Sequence, residues 1–132
     1  MHTDGNNPHP STLDPEGYAL IGACFEVYNT LGSGFLEDVY QESLEIELAL
    51  RGIPFVAKPR LKLSYKGRSL RKEYEADLLI RDRIVVELKA TKAFAPEHEA
   101  QLINYLKATG KHTGYLVNFG ASPHLDWRRR AV

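Results

Sequence analysis

Two short runs of sequence indicate the fold most clearly, Tyr74-Glu75-Ala76-Asp77 and Val85-Val86-Glu87-Leu88-Lys89. Side chains alternate between the two faces of a strand, so Glu87 and Lys89 are predicted to project together while their apolar neighbours point into the core. A turn at Arg81-Asp82-Arg83 would bring the Asp77 strand alongside the Glu87 strand. The sequence therefore predicts two carboxylates and an ammonium group on one surface.

These side chains have the chemistry of a divalent-cation site. A hard cation such as Mg2+ takes oxygen ligands, usually only one or two protein carboxylates, and leaves coordination positions for water and phosphate oxygens. Asp77 and Glu87 would supply those carboxylates. Without Asp77, the favoured interpretation of Glu87 and Lys89 would be an exposed ion pair along an edge strand, which contributes little to stability.

Capping signals and helical spacing predict three helices. Asp14 would cap the first, which is expected to end near Leu31-Gly32. The second is predicted between Ser33-Gly34 and Arg51-Gly52, and the third over residues 96–110. The apolar stripes predicted for the first two helices are Tyr18, Ile21, Phe25 and Tyr28, and then Leu36, Tyr40, Leu44 and Leu48.

Alternating apolar residues predict a β-hairpin that turns at Lys66-Gly67. Its return strand is predicted to run through Tyr74, Ala76, Leu78 and Ile80. Further strands are expected around Val85 and over residues 113–119, joined by the third helix. A helix that joins two strands favours a right-handed crossover, so the expected fold class is α/β, a mixed central β-sheet flanked by helices.

Composition indicates an ordinary globular protein, because 43% of the 132 residues are hydrophobic and 26% are charged. We expect a flexible N-terminal tail over residues 1–13 and a single domain over residues 14–132. The lone Cys24 lies in an apolar helical pattern, which favours a buried, reduced thiol and a cytoplasmic protein. Neither a signal peptide nor a membrane-spanning segment is recognisable, so no membrane partner is expected.

Charge patterning limits how the chain could bind a nucleic acid. The formal net charge is zero, so affinity would have to come from local clusters. One cluster crowds the predicted hairpin and consists of Lys58, Arg60, Lys62, Lys66, Arg68, Arg71 and Lys72. A second is Arg128-Arg129-Arg130. A solvated surface is the favoured interpretation of such runs alone, and phosphate binding gains weight only beside a metal centre.

Four motifs together carry a family resemblance. They are Gly34-x-x-Glu37-x-x-Tyr40, Asp77 with Glu87-Leu88-Lys89, Gln101-x-x-x-Tyr105, and the run from Gly114 to Gly120. The set resembles the PD-(D/E)xK nuclease superfamily and, more closely, the bacterial GxxExxY proteins, while the Gln-x-x-x-Tyr pair resembles the RecB-like branch. The similarity covers nearly everything after about Leu13. Ala76 stands where the superfamily name has Pro, at a position that is loosely kept.

The resemblance implies a restriction-endonuclease-like core and a metal-dependent nuclease that hydrolyses phosphodiester bonds, with DNA as the expected substrate. Asp77 and Glu87 would hold Mg2+ or Mn2+ directly, and the backbone carbonyl of Leu88 would be an extra oxygen ligand. Glu37 would contribute a further acid from the second helix. Lys89 would orient or activate the attacking water and offset phosphate charge.

The same resemblance places Gln101 among the catalytic residues and gives Gly34, Tyr40 and Tyr105 supporting roles. Gln101 and Tyr105 would contact the region of the catalytic lysine or the substrate backbone, and Tyr40 would pack or hydrogen-bond behind Glu37. Gly34 would provide a special backbone conformation at a helix start. Other interpretations stay open, because Glu37 could simply complement a helix dipole and both tyrosines could be aromatics at the edge of the core.

Three functions remain open on the sequence. The first is an active DNA nuclease in repair, recombination or defence against foreign DNA. The second is a catalytically weak or inactive nuclease-like module that binds nucleic acid or a partner protein, and the third, weaker one is a structural oligomerisation domain. Retention of the whole carboxylate set argues for the first, because such a cluster is electrostatically costly without its cation. The sequence leaves open DNA against RNA, strand number, cleavage mode and a homodimer that would cut both strands.

Overall fold

The computed structural model describes residues 13–132, which contain three helices and seven strands. The helices are α1 (Pro15–Leu31), α2 (Glu37–Leu50) and α3 (Pro96–Thr109). The strands are β1 (Phe55–Ala57), β2 (Arg60–Tyr65), β3 (Arg68–Glu75), β4 (Leu78–Ile80), β5 (Ile84–Lys89), β6 (Thr113–Asn118) and β7 (Asp126–Ala131). Apart from Leu13, the flexible tail predicted for residues 1–13 lies outside the described residues.

Five strands form the central sheet, in the order β1-β4-β5-β6-β7. β5 and β6 are parallel, and the other neighbouring pairs in this sheet are antiparallel. Helix α3 connects the two parallel strands, because a parallel pair needs a crossover connection rather than a tight turn. β2 and β3 form a separate two-stranded ribbon. The predicted fold class, a mixed sheet flanked by helices, is confirmed.

Two hydrophobic cores cover the two faces of the central sheet. On one face, Val86 and Leu88 of β5 belong to a cluster with the buried residues of α1 and α2. On the other face, Val85 packs in a cluster with Leu102 of α3. The alternation predicted for β5 is therefore confirmed, and Glu87 lies on the same side of the sheet as α3.

The ends of the helices largely follow the predicted capping signals. The Asp14 side chain accepts a hydrogen bond from the backbone N–H of Gly17 at 2.7 Å and caps α1. Helix α3 ends where Gly110 adopts a left-handed conformation with φ of 77°, which glycine reaches without a clash from a β-carbon. Among residues 13–132, no helix is long and apolar enough to cross a membrane.

Two predicted features of the helices are wrong. Helix α2 begins at Glu37 and not at Ser33-Gly34, because Leu36, the residue just before it, has an extended backbone and Gly34 has a positive φ. Leu36 is 80% exposed and does not belong to the apolar stripe. Tyr18 is likewise 48% exposed, since α1 buries a face that contains Leu20 and its neighbours.

The return strand of the predicted hairpin is divided between two sheets, so its continuous alternation is wrong. β3 ends at Glu75 in the ribbon, and β4 begins at Leu78 in the central sheet. Ala76 is buried in the core that contains Leu102, whereas Leu78 is buried in the core on the opposite face. The chain therefore rotates between Ala76 and Leu78 as it passes from the ribbon to the central sheet. Asp77 is the residue between them.

The last strand, β7, was not expected from the sequence. It pairs antiparallel with β6 and includes the run Arg128-Arg129-Arg130. Three consecutive arginines hide the alternation that identifies a strand, although Trp127 is fully buried. Arg128 and Arg130 both pair with Glu99 of α3, which allows their side chains to lie half-buried against the helix.

Candidate active site

Asp77 lies beside Glu87, at the junction between the ribbon and the central sheet. β4 pairs antiparallel with β5 through Leu78 and Val86, so the residue before Leu78 falls opposite the residue after Val86. The Oδ2 atom of Asp77 accepts a hydrogen bond from the backbone N–H of Leu88 at 2.7 Å. Asp77 is only 9% exposed, so its charge depends on neighbouring groups rather than on water.

Lys58 provides a counter-charge for Asp77. The Nζ atom of Lys58 lies 2.9 Å from Oδ1 of Asp77. The main chains are also joined, because the Lys58 N–H donates to the Asp77 carbonyl at 3.0 Å. Lys58 has a φ of 51°, a left-handed conformation that a residue other than glycine keeps only where its surroundings enforce it.

Glu87 is held by a tyrosine of the ribbon. The hydroxyl of Tyr74 donates to Oε1 of Glu87 at 2.5 Å, and the Tyr74 ring stacks on Tyr105 of α3 with centroids 4.0 Å apart. Burial, together with the nearby charge of Asp77, raises the pKa of Glu87 to about 7, although Tyr74 and Lys89 oppose that shift. Two neighbouring carboxylates therefore repel each other, and a bound cation would relieve that repulsion.

Glu37 is the first residue of α2 and lies within electrostatic range of Asp77. Burial and the charge of Asp77 raise the pKa of Glu37, while Lys89 and Lys58 oppose the shift. Gln41 anchors the same helix, because its Nε2 atom donates to the Asp77 backbone carbonyl at 2.9 Å. Helix α2 thus brings one acid toward the site and holds the main chain of another.

Tyr40 fixes the loop that leads to α2. Its hydroxyl donates to the carbonyl of Gly32 at 2.5 Å and accepts from the N–H of Phe35 at 3.2 Å. The ring is fully buried and stacks on Phe119 with centroids 4.7 Å apart. Between the two anchored residues, Gly34 has a φ of 110°, which a side chain would disfavour. Gly34 and Tyr40 therefore shape the loop before Glu37 rather than line the pocket.

A small pocket of about 30 Å³ opens between β5 and α3. It is lined by Glu87, Lys89, Gln101, Tyr105, Tyr74 and His98, with Leu102 and Leu116 at its apolar side. The structure thus brings four of the predicted residues together, Glu87 and Lys89 from β5 and Gln101 and Tyr105 from α3, the next element along the chain. His98 also accepts a hydrogen bond from the Ala95 N–H at 3.1 Å, which fixes its ring at the start of α3.

Three residues that contact Asp77 or Glu87 were not predicted as part of the site. Lys58 and Tyr74 contact the carboxylates of Asp77 and Glu87, and Gln41 contacts the backbone carbonyl of Asp77. Gln41 follows Glu37 by four residues and so shares its helix face, a signal that could have identified it. Tyr74 begins the run that ends at Asp77, but its contact with Glu87 depends on the ribbon folding against β5. The contact between Lys58 and Asp77 spans 19 residues of sequence, and no local pattern indicates it.

Comparisons with known proteins agree with this geometry. A family model of the PD-(D/E)XK nuclease superfamily matches residues 14–130. The chain belongs to the PD-(D/E)XK nuclease superfamily. Members of this superfamily generally hydrolyse phosphodiester bonds. No curated protein matches the chain at a significant level.

A solved structure shares the fold at low sequence identity. The chain resembles the crystal structure of SSO0001 with a TM-score of 0.56 and 16% identity, covering 99% of this chain and 69% of the other. At that identity the likeness supports the fold alone, and it agrees with the architecture that the superfamily match indicates.

The oxygen atoms of the site suit the divalent ions that PD-(D/E)XK nucleases typically use. Within residues 13–132, no three side chains of His, Cys, Asp or Glu are grouped closely enough to hold a metal ion by themselves. Mg2+ needs fewer, because it usually keeps several waters and takes one or two carboxylates. Asp77 and Glu87 are such a pair, and the raised pKa of Glu87 indicates that a positive charge beside it would be favourable. The residues fit an open, water-rich site and not a closed protein cage.

Proposed function

We propose that the protein is a metal-dependent nuclease that hydrolyses phosphodiester bonds in DNA. The observation that carries the proposal is the adjacency of Asp77 and Glu87 on neighbouring strands. Lys89 and Gln101 line the same pocket as Glu87, so acidic, basic and amide groups converge beside it. This combination is what a site needs to bind a cation and a phosphodiester together.

In the proposed mechanism, Asp77 and Glu87 would hold Mg2+ or Mn2+, the Leu88 carbonyl would be an additional ligand, and Glu37 would be a nearby acid. Such an ion would polarise the phosphodiester group and supply a stronger nucleophile at neutral pH. The ammonium group of Lys89 orients the attacking water and neutralises phosphate charge. Tyr74 holds the Glu87 carboxylate in place, which the 2.5 Å hydrogen bond supports.

From α3, Gln101 and Tyr105 contact the substrate backbone in this proposal. Gln101 is exposed at the pocket, and its amide can both donate to phosphate oxygens and accept from water. Tyr105 is half-buried under the ring of Tyr74, so it also supports the pocket wall.

The motif residues also support a proposal for the branch of the superfamily to which the protein belongs. We infer that the protein is a GxxExxY member of the RecB-like branch, because Gly34, Glu37 and Tyr40 form one local unit and Gln101 lies beside Lys89. A role in DNA repair, recombination or defence follows from that placement. A single domain over residues 14–132 and a cytoplasmic location belong to the same proposal; the buried, free thiol of Cys24 is compatible with a reducing compartment.

One observation favours a second candidate, a nucleic-acid-binding module that cleaves weakly. Lys58 occupies the Oδ1 atom of Asp77, so a metal ion that binds through this oxygen must displace an ammonium group. If that displacement is costly, metal affinity is low and turnover is slow. The module would then bind nucleic acid with the usual salt dependence but without turnover in any metal.

The test is cleavage of labelled single-stranded, duplex and branched DNA, and of RNA, by the purified protein in Mg2+ or Mn2+. The wild type is expected to cut DNA, and Asp77→Asn and Lys89→Ala are expected to lower the rate by about 100-fold or more. Asp82→Asn and Lys92→Ala are matched controls that remove exposed charges of the same sign. Equal cutting by all five proteins would indicate a contaminating nuclease and contradict the proposal.

A further inference from the structure

The ribbon begins and ends at residues of the candidate active site. Lys58 precedes β2 and Asp77 follows β3, and two main-chain hydrogen bonds close the base of the ribbon. These are Lys58 N–H to Asp77 carbonyl at 3.0 Å and Ala76 N–H to Pro59 carbonyl at 3.2 Å. Leu63 and Tyr74 attach the lower part of the ribbon to the core beside α3. Whatever the ribbon contacts is therefore held in a fixed relation to Asp77.

The far part of the ribbon, residues 64–72, is here named the ribbon tip. Every residue of the tip is exposed. The β3 strand has seven residue steps from Glu75 at the base to Arg68 at the turn, which corresponds to about 20 Å at the usual rise of a strand. The tip can thus contact a bound polymer about six nucleotide steps from the site, at about 3.4 Å for each step.

The cations of the ribbon fall into two groups. At the base, Arg60 pairs with Glu73 and Glu75, and Lys62 pairs with Glu73. At the tip, four cations form no ion pair with any residue in the described range 13–132, and they are Lys66, Arg68, Arg71 and Lys72. The tip therefore concentrates positive charge that is available to a ligand.

Two other charged surfaces within residues 13–132, β7 and the pair of helices α1 and α2, compete poorly with the tip for a polyanion. In β7, Arg128 pairs with Asp126 at 3.3 Å and with Glu99 at 3.7 Å, and Arg130 pairs with Glu99 as well. Helices α1 and α2 together contain seven acidic and no basic residues. A polyanion would be repelled by the helical face and attracted to the ribbon.

We propose that the ribbon tip docks in the major groove of duplex DNA and contacts its phosphates, an inference that rests on the proposed nuclease function. The major groove of B-form DNA admits a two-stranded β-ribbon. The deep, narrow major groove of A-form RNA does not, so duplex RNA would fit poorly. Tyr65 and Leu70 are 64% and 42% exposed at the tip, and they provide apolar surface for the methyl groups of thymine.

The docked ribbon selects the substrate and sets its position. Because the base of the ribbon is tied to Asp77, DNA held at the tip passes the pocket that contains Glu87 and Lys89. The preferred substrate would then be a duplex that extends at least about six base pairs beyond the cleavage point. Shorter duplexes would lose the contacts to the tip and bind less tightly.

Equilibrium binding of a fluorescent 20-base-pair DNA duplex in Ca2+ tests the proposal without depending on turnover. The double variant Arg71→Gln with Lys72→Gln is expected to weaken binding roughly 10- to 50-fold at 0.1 M salt and to reduce the salt slope by about two. The matched control is Arg81→Gln with Arg83→Gln, which removes the same charge from an exposed turn near Glu16. That control should bind within about twofold of the wild type. Thermal unfolding confirms that both variants fold.

The outcomes separate this proposal from the nuclease assignment. Equal losses in the two double variants, or no loss in the ribbon variant, would overturn docking by the tip even if the wild type cleaves DNA in Mg2+. Duplex RNA or single-stranded DNA bound as tightly as duplex DNA would overturn the groove assignment. A specific loss in the ribbon variant, with no cleavage by the wild type in Mg2+ or Mn2+, would support the docking surface and contradict the nuclease.

Discussion

The Nζ atom of Lys58 lies 2.9 Å from Oδ1 of Asp77, while the other carboxylate oxygen of Asp77 accepts a hydrogen bond from the backbone of Leu88. Both oxygens of this buried acid therefore have partners within the protein. The ammonium group lies where positive charge is favoured, because burial and the charge of Asp77 together raise the pKa values of Glu37 and Glu87. Lys58 thus acts as an internal cation at the candidate metal site.

Replacing this internal cation should strengthen metal binding. In Lys58→Met, the Asp77 carboxylate loses its ion pair, so we expect the Kd for Ca2+ to fall several-fold in a calorimetric titration. Without metal, the free energy of unfolding should fall by about 1–2 kcal/mol, because a charged hydrogen bond to a buried acid is lost. Lys62→Met, which removes an exposed cation of the ribbon, is the control. Weaker Ca2+ binding by Lys58→Met would show instead that the lysine assists the metal.

Glu87 should make the metal-free protein less stable at higher pH. Burial and the charge of Asp77 raise the pKa of Glu87 to about 7, above the value of about 4.3 that is usual for glutamate, so the folded state binds the proton more tightly than the unfolded state does. The contribution of protonated Glu87 to the free energy of unfolding is therefore fully present at low pH and is lost as pH rises toward 7. The glutamine in Glu87→Gln cannot ionise, so the variant does not lose this contribution. Its free energy of unfolding relative to that of the wild type should therefore rise by roughly 2–3 kcal/mol between pH 5 and pH 8. Urea unfolding in EDTA measures the difference, and a pH-independent gap would contradict it.

The hydroxyl of Tyr40 should be structural. Tyr40→Phe removes both hydrogen bonds that fix the loop before α2, and we expect the free energy of unfolding to fall by about 1–2 kcal/mol. Tyr18→Phe is a matched control, because Tyr18 is 48% exposed. Urea titration of both variants distinguishes the two hydroxyls. Unchanged stability in Tyr40→Phe would mean that water replaces the lost partners without cost.

The single thiol should be inert in the folded protein. Burial raises the pKa of Cys24 to about 12, so almost no thiolate is present at pH 8, and the side chain is fully buried. A thiol reagent such as DTNB should react at least about 100-fold more slowly than with the same protein in guanidinium chloride, where an exposed cysteine has a pKa of about 8.5. Rapid reaction in native buffer would indicate that α1 opens readily.

Local patterns in the sequence predicted much of the fold. The alternation of β5 placed Val86 and Leu88 in the core, and the signal at Asp14 identified the start of α1. Both features depend on neighbours a few residues away, which is why spacing and capping reveal them. The turn at Arg81-Asp82-Arg83 likewise follows from local chemistry and makes β4 pair with β5.

The features that the sequence did not predict depend on distant contacts. Lys58 reaches Asp77 only because the ribbon leaves the central sheet at both residues, and the rotation after Ala76 has no local signature. Strand β7 was not predicted, because Arg128 and Arg130 are stabilised by Glu99 of α3, a contact that no local pattern shows. In the site, Gln41 had a local signal in its spacing from Glu37, whereas the contacts of Lys58 and Tyr74 with the carboxylates had none.

The most direct test of the central claim is the position of a bound ion. In a crystal of the protein grown or soaked with Mn2+, the anomalous difference map should contain a peak about 2 Å from carboxylate oxygens of both Asp77 and Glu87. The Nζ atom of Lys58 should move away from Asp77 in the same map. A map with no peak between these carboxylates at saturating Mn2+, and with Lys58 still bound to Asp77, would contradict the account.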